Sequence, residues 1–268
     1  MSLFQMVFLA FVQAATEFLP VSSSGHLLFF KGLFHAEEMP PLIFDIVLHV
    51  GSLFAIVVFY FKRLVHTFKT MGLEIAQKKS SKPATRFVLY GVLATCVTFG
   101  IYLLFDDAIE AMTQKPEVLG WTFGITTVIL LSTLYTRKCE AGAITQKSWL
   151  APVVIGLFQG LAIIPGISRS GSTVSASLLL KIKKDEAAYF SFFLAIPAIL
   201  GALVFKLTEI EQSAFLLEQK LGIAIAFLVS AVFSYLFLRL LVWVIQKGKF
   251  WMFALYTGVM AIVSLILF

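Results

Sequence analysis

In the stretch Gln13-Ala-Ala-Thr-Glu17-Phe-Leu-Pro20-Val-Ser22-Ser23-Ser24-Gly25-His26, polar and glycine residues interrupt sequence that is otherwise apolar enough for a membrane. A second stretch of the same kind follows at an offset of 146 residues, and it reads Gln159-Gly-Leu-Ala-Ile163-Ile-Pro165-Gly166-Ile-Ser168-Arg169-Ser170-Gly171-Ser172-Thr173. Ionisable and polar side chains are costly at membrane depth, so each stretch indicates a functional site. Their duplication indicates that the site is built where two repeats meet.

The composition of the chain is that of an integral membrane protein. Of the 268 residues, 59% are hydrophobic and only 13% are charged, and the mean hydropathy is +0.94. The apolar runs are continuous rather than alternating, which favours helices over a β-barrel. The net charge of +6 does not indicate a nucleic-acid partner, because the basic residues gather in short loops between apolar spans. We expect contacts with membrane lipids instead.

Six stretches are long and apolar enough to span a membrane, at about 42–61, 87–105, 118–136, 187–205, 221–245 and 251–268. Two others, about 3–34 and 150–180, have apolar arms on either side of a centre rich in Pro, Gly and Ser. Irregular backbone at membrane depth survives only where protein or a wet cavity surrounds it, so these two are predicted to be re-entrant hairpins.

The predicted fold is therefore an all-α polytopic membrane protein with six spans and two re-entrant hairpins. We interpret residues 1–268 as a single membrane domain, with one repeat at about 1–136 and the other at about 147–268. Each repeat contains one hairpin and three transmembrane helices, so the second repeat is inverted relative to the first.

Loop charges predict the orientation of the chain. The connections at 62–86, 137–149, 181–184 and 247–249 are basic and should be cytoplasmic, whereas the acidic connection at 106–117 should be outside. The first hairpin then enters from the outer face and the second from the cytoplasmic face. Their tips are predicted to meet near the middle of the membrane, in a site that opens toward the outer, periplasmic face.

The second stretch offers a fixed cation, Arg169, among several hydroxyl groups and a glycine. An arginine contacts phosphate through two donors and keeps its charge, and a helix that starts here adds N–H groups directed at an anion. The alternative is that Ser and Gly only allow helices to pack closely. That alternative does not explain Arg169, so an anion site is the preferred interpretation.

The first stretch offers groups that suit several kinds of chemistry. Glu17, on one helical face with Gln13, is a candidate ligand for a divalent cation, a candidate acid or base, or a structural partner of Arg169. Ser22, Ser23 and Ser24 are candidate nucleophiles, with His26 as the base or acid for one of them. A lone histidine is more often a satisfied interior group, so both interpretations of His26 stay open.

Both stretches resemble the signatures of the bacitracin-resistance family of undecaprenyl-diphosphatases, and the resemblance extends over essentially the whole chain. It implies hydrolysis of undecaprenyl diphosphate to undecaprenyl phosphate and inorganic phosphate in a bacterial plasma (inner) membrane. That reaction recycles the lipid carrier of peptidoglycan synthesis and confers bacitracin resistance. The resemblance also implies a divalent cation (Mg²⁺ or Ca²⁺) and a homodimer. The functional positions it carries over are Gln13, Glu17, Ser22, Ser23, His26, Ser168, Arg169 and Thr173.

Residue chemistry and resemblance together predict a division of roles. The diphosphate would be held by Arg169 and by the hydroxyl groups of Ser168, Ser170 and Thr173, with Gln13 and Ser22 also contacting it. Glu17 would hold a metal ion, with Gln13 as a possible second ligand, or transfer the proton. Ser23 is the preferred nucleophile, and a metal-activated water is the alternative. Many members of the family have Glu where Gln13 stands, which weakens any mechanism that needs two carboxylates here.

Two other functions compete with hydrolysis. Inverted repeats with paired broken segments also build secondary transporters, so the chain could flip a lipid phosphate without cleaving it. The asymmetry of the two stretches favours hydrolysis, because Glu17 is matched by Ile163 and His26 by Ser172. A lipid-binding scaffold without turnover would leave the His, Glu and Arg combination unexplained.

Overall fold

The computed structural model describes residues 2–34, 42–78, 81–113, 115–136, 142–207 and 219–268. These residues form ten α-helices and no β-strand. The helices are α1 (Leu3–Phe18), α2 (Ser23–Phe34), α3 (Leu42–Ala76), α4 (Pro83–Thr113), α5 (Leu119–Ser132), α6 (Leu150–Leu161), α7 (Arg169–Leu179), α8 (Lys184–Leu207), α9 (Lys220–Gln246) and α10 (Phe253–Leu267). Within the described residues, six helices are long and apolar enough to cross a membrane. The chain is thus a multi-pass membrane protein.

All six predicted spans are confirmed as helices, but two of their ends were wrong. The first span was expected to stop at residue 61, before Lys62 and Arg63, whereas α3 continues to Ala76. Its extension is held in place by tertiary contacts: the hydroxyl groups of Thr67 and Tyr189 are 3.0 Å apart, and Glu74 accepts hydrogen bonds from two backbone N–H groups at the start of α4. Likewise α4 passes residue 105 and ends at Thr113, with non-helical dihedral angles at Phe105.

The two broken segments are helix–break–helix units, as their Pro and Gly content predicts. α1 ends at Phe18, just before Pro20, and α6 ends at Leu161, before Pro165. Proline lacks the N–H that would continue a helix, and each break contains one residue with a positive φ, Ser22 at 69° and Gly166 at 91°. That these units re-enter the membrane from opposite faces stays a prediction.

Helices of the two predicted halves pack in reciprocal pairs. α1 of the first half packs on α9 of the second, and α6 of the second half packs on α4 of the first. α3 packs on α8, and α5 packs on α10. The division at about 1–136 and 147–268 stays a prediction, but each half contributes its broken unit to helices of the other half.

The basic segments lie together at one end of the bundle. Arg63 forms a 2.6 Å ion pair with Asp185, Arg86 donates to the carbonyl of Lys147 at 2.9 Å, and Lys184 donates to the carbonyl of Gln246 at the end of α9. α6 begins at this basic end. α1 begins at the opposite end, because Met6 lies against Gly222 near the start of α9.

The two breaks therefore meet deep inside the bundle. At 1.5 Å per residue, α9 is about 40 Å long, whereas the 16 residues of α1 and the 12 of α6 span about 24 Å and about 18 Å from opposite ends. These lengths bring the end of α1 and the end of α6 to similar depth. The two chemistry-bearing segments, residues 13–26 and 159–173, meet at that level, and each is called a loop below together with the helix ends that flank its break.

Candidate active site

The two loops cross in direct backbone contact. A Cβ atom on Gly25 would lie 2.7 Å from the Cα of Gly166 and 2.8 Å from its nitrogen. At the positions related by the offset of 146, a Cβ on Gly171 would lie 3.3 Å from the Cβ of Pro20. Only glycine allows the first of these approaches, because the atoms in the way belong to the backbone. The crossing explains why glycine occupies both tips.

Ser22 connects the loops through its side chain. Its Oγ accepts hydrogen bonds from the backbone N–H of Gly25 at 3.2 Å and from that of Gly166 at 3.1 Å. It adopts the left-handed conformation that non-glycine residues rarely occupy, and such a conformation persists only where surrounding contacts fix it. The residue predicted to bind substrate thus also holds the two repeats together.

Ser168 has the matching role at the start of α7. Its Oγ accepts from the N–H of Gly171 at 3.1 Å, as the N-cap of the helix. Its backbone N–H donates to Thr126 Oγ1 at 3.1 Å, and Thr126 donates to the carbonyl of Gly166 at 2.8 Å. Thr126 of α5 therefore holds the second loop at two backbone positions, the carbonyl of Gly166 and the N–H of Ser168.

Glu17 brings the predicted residues of both repeats together. Its Oε1 accepts a 2.7 Å hydrogen bond from a terminal nitrogen of Arg169 in the other repeat. Its Oε2 accepts from the hydroxyl of Ser23 at 2.9 Å. The carboxylate therefore pairs with a fixed cation through one oxygen and lies within hydrogen-bond reach of a hydroxyl group through the other, as a general base for that hydroxyl must.

Gln13 and His49 lie behind the carboxylate. The side-chain nitrogen of Gln13 donates to Glu17 Oε2 at 3.2 Å and lies 3.2 Å from His49 Nε2. His49 Nε2 is also 4.0 Å from Glu17 Oε2. One amide nitrogen can donate to both groups, because it carries two hydrogens. Gln13, 2% exposed, thus orients Glu17 through a buried hydrogen bond.

A small polar cleft opens over these groups. Counted with the open space at its mouth, it has a volume of about 260 Å³. Of the predicted site residues, Glu17, Ser22, Ser23, Ser168 and Arg169 line it. The remaining lining residues are Thr16, Ser24, Ala162 and Ile167. The cleft thus combines residues of both loops around one cation and one carboxylate.

Four predicted residues do not line this cleft. Gln13 is buried and bonded to Glu17, as described above. Ser170 and Thr173 are buried, with Thr173 donating to the carbonyl of Arg169 at 2.8 Å and lying 2.6 Å from the hydroxyl of Ser191. His26 points away, toward Tyr256 of α10, with its two ring nitrogens bonded to the Ser22 carbonyl and the Tyr256 hydroxyl. This placement gives no support to substrate contact by Ser170 or Thr173 or to proton transfer by His26, and those roles stay predictions.

Sequence reasoning missed Thr126 and Tyr256. Thr126 left a signal, since Thr122, Thr126 and Thr127 place three hydroxyl groups inside one apolar span. Tyr256 left none, because a tyrosine in an apolar helix is ordinary. Only the packing of α10 on α5 brings it to His26.

The donor set limits how a divalent cation could bind. Among the residues that line the cleft, Glu17 is the one carboxylate. Across the described ranges, no three His, Cys, Asp or Glu side chains come together as a metal site. The residues present fit a cation that takes most of its ligands from phosphate oxygens and water, as Mg²⁺ commonly does. Hydroxyl oxygens of the loops are available as further neutral ligands.

Comparison with known proteins agrees with the motifs. The sequence profile of the family described as "Bacitracin resistance protein BacA" matches residues 6–263. A protein of Treponema denticola named undecaprenyl-diphosphatase is 38% identical over 264 residues, with 96% of this chain and 94% of the relative covered. Proteins of the same name from Desulfatibacillum aliphaticivorans and Methanosphaera stadtmanae are 36% and 34% identical, and cover 94% and 97% of this chain. The matched regions cover 94% and 96% of those two relatives, respectively.

Proposed function

Because the chain belongs to the bacitracin resistance protein BacA family, we propose that it hydrolyses undecaprenyl diphosphate to undecaprenyl phosphate and inorganic phosphate. The observation that carries the proposal is the position of Glu17. It pairs with Arg169 of the second repeat and accepts a hydrogen bond from the hydroxyl group of Ser23 in its own repeat. Recycling of the lipid carrier for peptidoglycan synthesis, and with it bacitracin resistance, follows from this activity.

Arg169 is the group that binds the diphosphate. One terminal nitrogen is bonded to Glu17, and the guanidinium has further N–H groups in the same plane for two phosphate oxygens. Ser22 and Ser168, which line the same cleft, supply additional polar contacts. Negative charge grows on the phosphate oxygens during transfer, so a fixed cation stabilises the transition state more than the bound substrate.

Ser23 is the proposed nucleophile. Its Oγ attacks the terminal phosphorus, its proton passes to Glu17 Oε2, and the bond from that phosphorus to the bridging oxygen breaks, so that undecaprenyl phosphate leaves. Water then attacks the phosphoserine, which releases inorganic phosphate and regenerates the hydroxyl group. In the alternative, a water molecule deprotonated by Glu17 attacks directly, and Ser23 only orients it.

A divalent cation, Mg²⁺ or Ca²⁺, is proposed to bind with the substrate. Where Glu17 does not take the proton, it would hold the cation together with loop hydroxyl oxygens. In either case the cation would neutralise charge on the diphosphate. Gln13 is less suited to ligate it directly, because its side-chain nitrogen is the atom directed at Glu17. The donor set described above supports a cation that arrives with the diphosphate rather than one held permanently.

The location of the reaction follows from the loop charges. We propose that the basic end of the bundle faces the cytoplasm of a bacterial inner membrane, so that the cleft opens toward the outer face. Cysteines placed in the 106–117 segment, with Cys96 and Cys139 replaced by serine, should react with an impermeant thiol reagent from outside, whereas cysteines in 62–86 should not. Labelling of both segments from one side would contradict the orientation. A homodimer is also expected from the resemblance.

The decisive experiment is phosphate release by the purified protein. With undecaprenyl diphosphate and Mg²⁺ or Ca²⁺, we expect one inorganic phosphate per molecule of undecaprenyl phosphate formed, and loss of turnover when a chelator removes the cation. Transport of the lipid across vesicles without phosphate release would instead identify a flippase. The presence of Glu17 in one repeat only, where the other has Ile163, supports hydrolysis.

A further inference from the structure

His26 is bonded to the backbone of its own loop. Its Nδ1 lies 2.7 Å from the carbonyl oxygen of Ser22, and its backbone N–H donates to the same oxygen at 3.2 Å. A carbonyl oxygen only accepts, so Nδ1 carries a proton. In the neutral ring, Nε2 is then the acceptor.

Tyr256 of α10 occupies that acceptor. Its hydroxyl oxygen lies 2.6 Å from His26 Nε2, and the two rings are nearly parallel, 7° apart with centroids at 5.6 Å. Phe123 packs edge-on against the imidazole as well, with centroids at 5.5 Å and an angle of 77° between the rings. α10 is in turn fixed to α5 by the hydroxyl groups of Thr127 and Thr257, 2.8 Å apart. His26 is therefore bonded at both ring nitrogens, and it is only 4% exposed.

The bonds of His26 lead to the reaction centre through the backbone. The Ser22 carbonyl belongs to the peptide bond that joins Ser22 to Ser23, and the Ser23 hydroxyl is the group bonded to Glu17. Ser22 has a φ of 69°, a strained value for serine that external contacts must maintain. Two hydrogen bonds from His26 to this carbonyl are such contacts.

We propose that Tyr256 and His26 are positioning residues, which hold the Ser22–Ser23 peptide so that the Ser23 hydroxyl stays on Glu17, and that His26 transfers no proton to the substrate. The inference rests on the proposed phosphatase activity. It assigns a role to a side chain of the last helix, about 230 residues from the loop that it supports.

Substitutions at His26 separate positioning from proton transfer. His26→Asn places an amide nitrogen where Nδ1 stands, so it keeps the donor to Ser22 but cannot act as an acid or base. We expect His26→Ala to lower kcat by more than about thirtyfold, and His26→Asn to recover at least about tenfold of that loss. Tyr256→Phe removes one hydroxyl group and should lower kcat about three- to tenfold, with KM changed less than about twofold.

The pH dependence of kcat gives a second readout. Each of the three variants that retains measurable activity should keep the wild-type shape of the pH profile. If His26 exchanges a proton, His26→Asn will be as inactive as His26→Ala, or will lose a limb of the profile in the histidine range, roughly pH 6 to 7. Either result would overturn the proposal, as would wild-type kcat in Tyr256→Phe.

A thermal double-mutant cycle tests the Tyr256–His26 bond without relying on activity. Tyr256→Phe should lower the midpoint of unfolding in the wild-type background and leave it unchanged in the His26→Asn background, because the acceptor is already gone. Equal shifts in both backgrounds would mean that the bond does not exist, and the inference would fail. If the wild type releases no phosphate, the proposed function is wrong, while this cycle still decides whether Tyr256 holds His26.

Discussion

The two loops that cross at the centre of the bundle have the same frame and different functional groups. In the first loop the Ser22 and Ser24 hydroxyl groups are 3.4 Å apart and Gly25 donates to Ser22. In the second the Ser168 and Ser170 hydroxyl groups are 3.3 Å apart and Gly171 donates to Ser168. These matching bonds give the two loops the same local frame.

The differences lie in the groups attached to this frame. The first loop has a carboxylate, Glu17, and a nucleophile candidate, Ser23, whereas the second has the cation, Arg169. The glutamine that both repeats share is used differently: Gln13 donates to Glu17, whereas Gln159 donates to Thr98 and leaves its Oε1 without a partner among the described residues. The bonds that both loops share form the scaffold, and the residues that differ between the loops supply the functional groups.

The largest effect is expected at the nucleophile. Ser23→Ala should lower kcat by more than about 10⁴-fold while diphosphate binding persists, because the attacking oxygen is absent. Rapid-quench trapping with labelled substrate should yield phosphate on the wild-type protein and none on the variant. The matched control is Ser24→Ala, which lines the same cleft without bonding to Glu17 and should lose less than about tenfold. Appreciable activity in Ser23→Ala, together with no trapped phosphate, would favour attack by water.

The next largest effect is expected in the second loop. Arg169→Lys should be nearly as damaging as Arg169→Ala, with a loss of more than about a hundredfold in kcat/KM, because a point charge does not reproduce a planar contact with two donors. Glu17 would also lose the geometry of its 2.7 Å bond. A lysine variant that keeps most of its activity with unchanged affinity would show that Arg169 acts only as a charge.

The crossing itself is tested by a change that adds one methyl group. Gly25→Ala places a Cβ within 2.8 Å of two backbone atoms of Gly166, neither of which can move without shifting the loop. We expect a loss of about 1–3 kcal/mol of stability, seen as a lower thermal midpoint of the purified protein. Gly124→Ala in α5 is the control, because its Cβ would meet nothing within 4 Å. Equal midpoints for the two variants would contradict the close contact.

The sequence predicted what depends on composition and spacing. Six spans and two broken segments were predicted, because apolar length and breaks rich in Pro and Gly leave few alternatives. The pairing of Glu17 with Arg169 was one of three alternatives left open for that carboxylate. The length of α3 was not predicted, since its extension depends on contacts with α8 and α4 rather than on its own apolarity. The direction of the His26 side chain was not predicted either. It follows a positive φ at Ser22, and nothing in the sequence indicates that a serine adopts that conformation.

The smallest effect distinguishes the two glutamines. Gln13→Leu removes the hydrogen bond to Glu17 Oε2 and the contact with His49, so the carboxylate is less well oriented and kcat should fall about tenfold. Gln159→Leu removes a bond to Thr98 and also a buried oxygen that has no partner in the described part of the chain, so two opposing effects nearly cancel. We expect kcat within about threefold of wild type and little change in thermal midpoint. Steady-state kinetics on both variants measures the contrast. If Gln159→Leu loses as much kcat as Gln13→Leu, the second glutamine also serves the reaction, and the division between a shared frame and functional groups that differ between the loops does not hold.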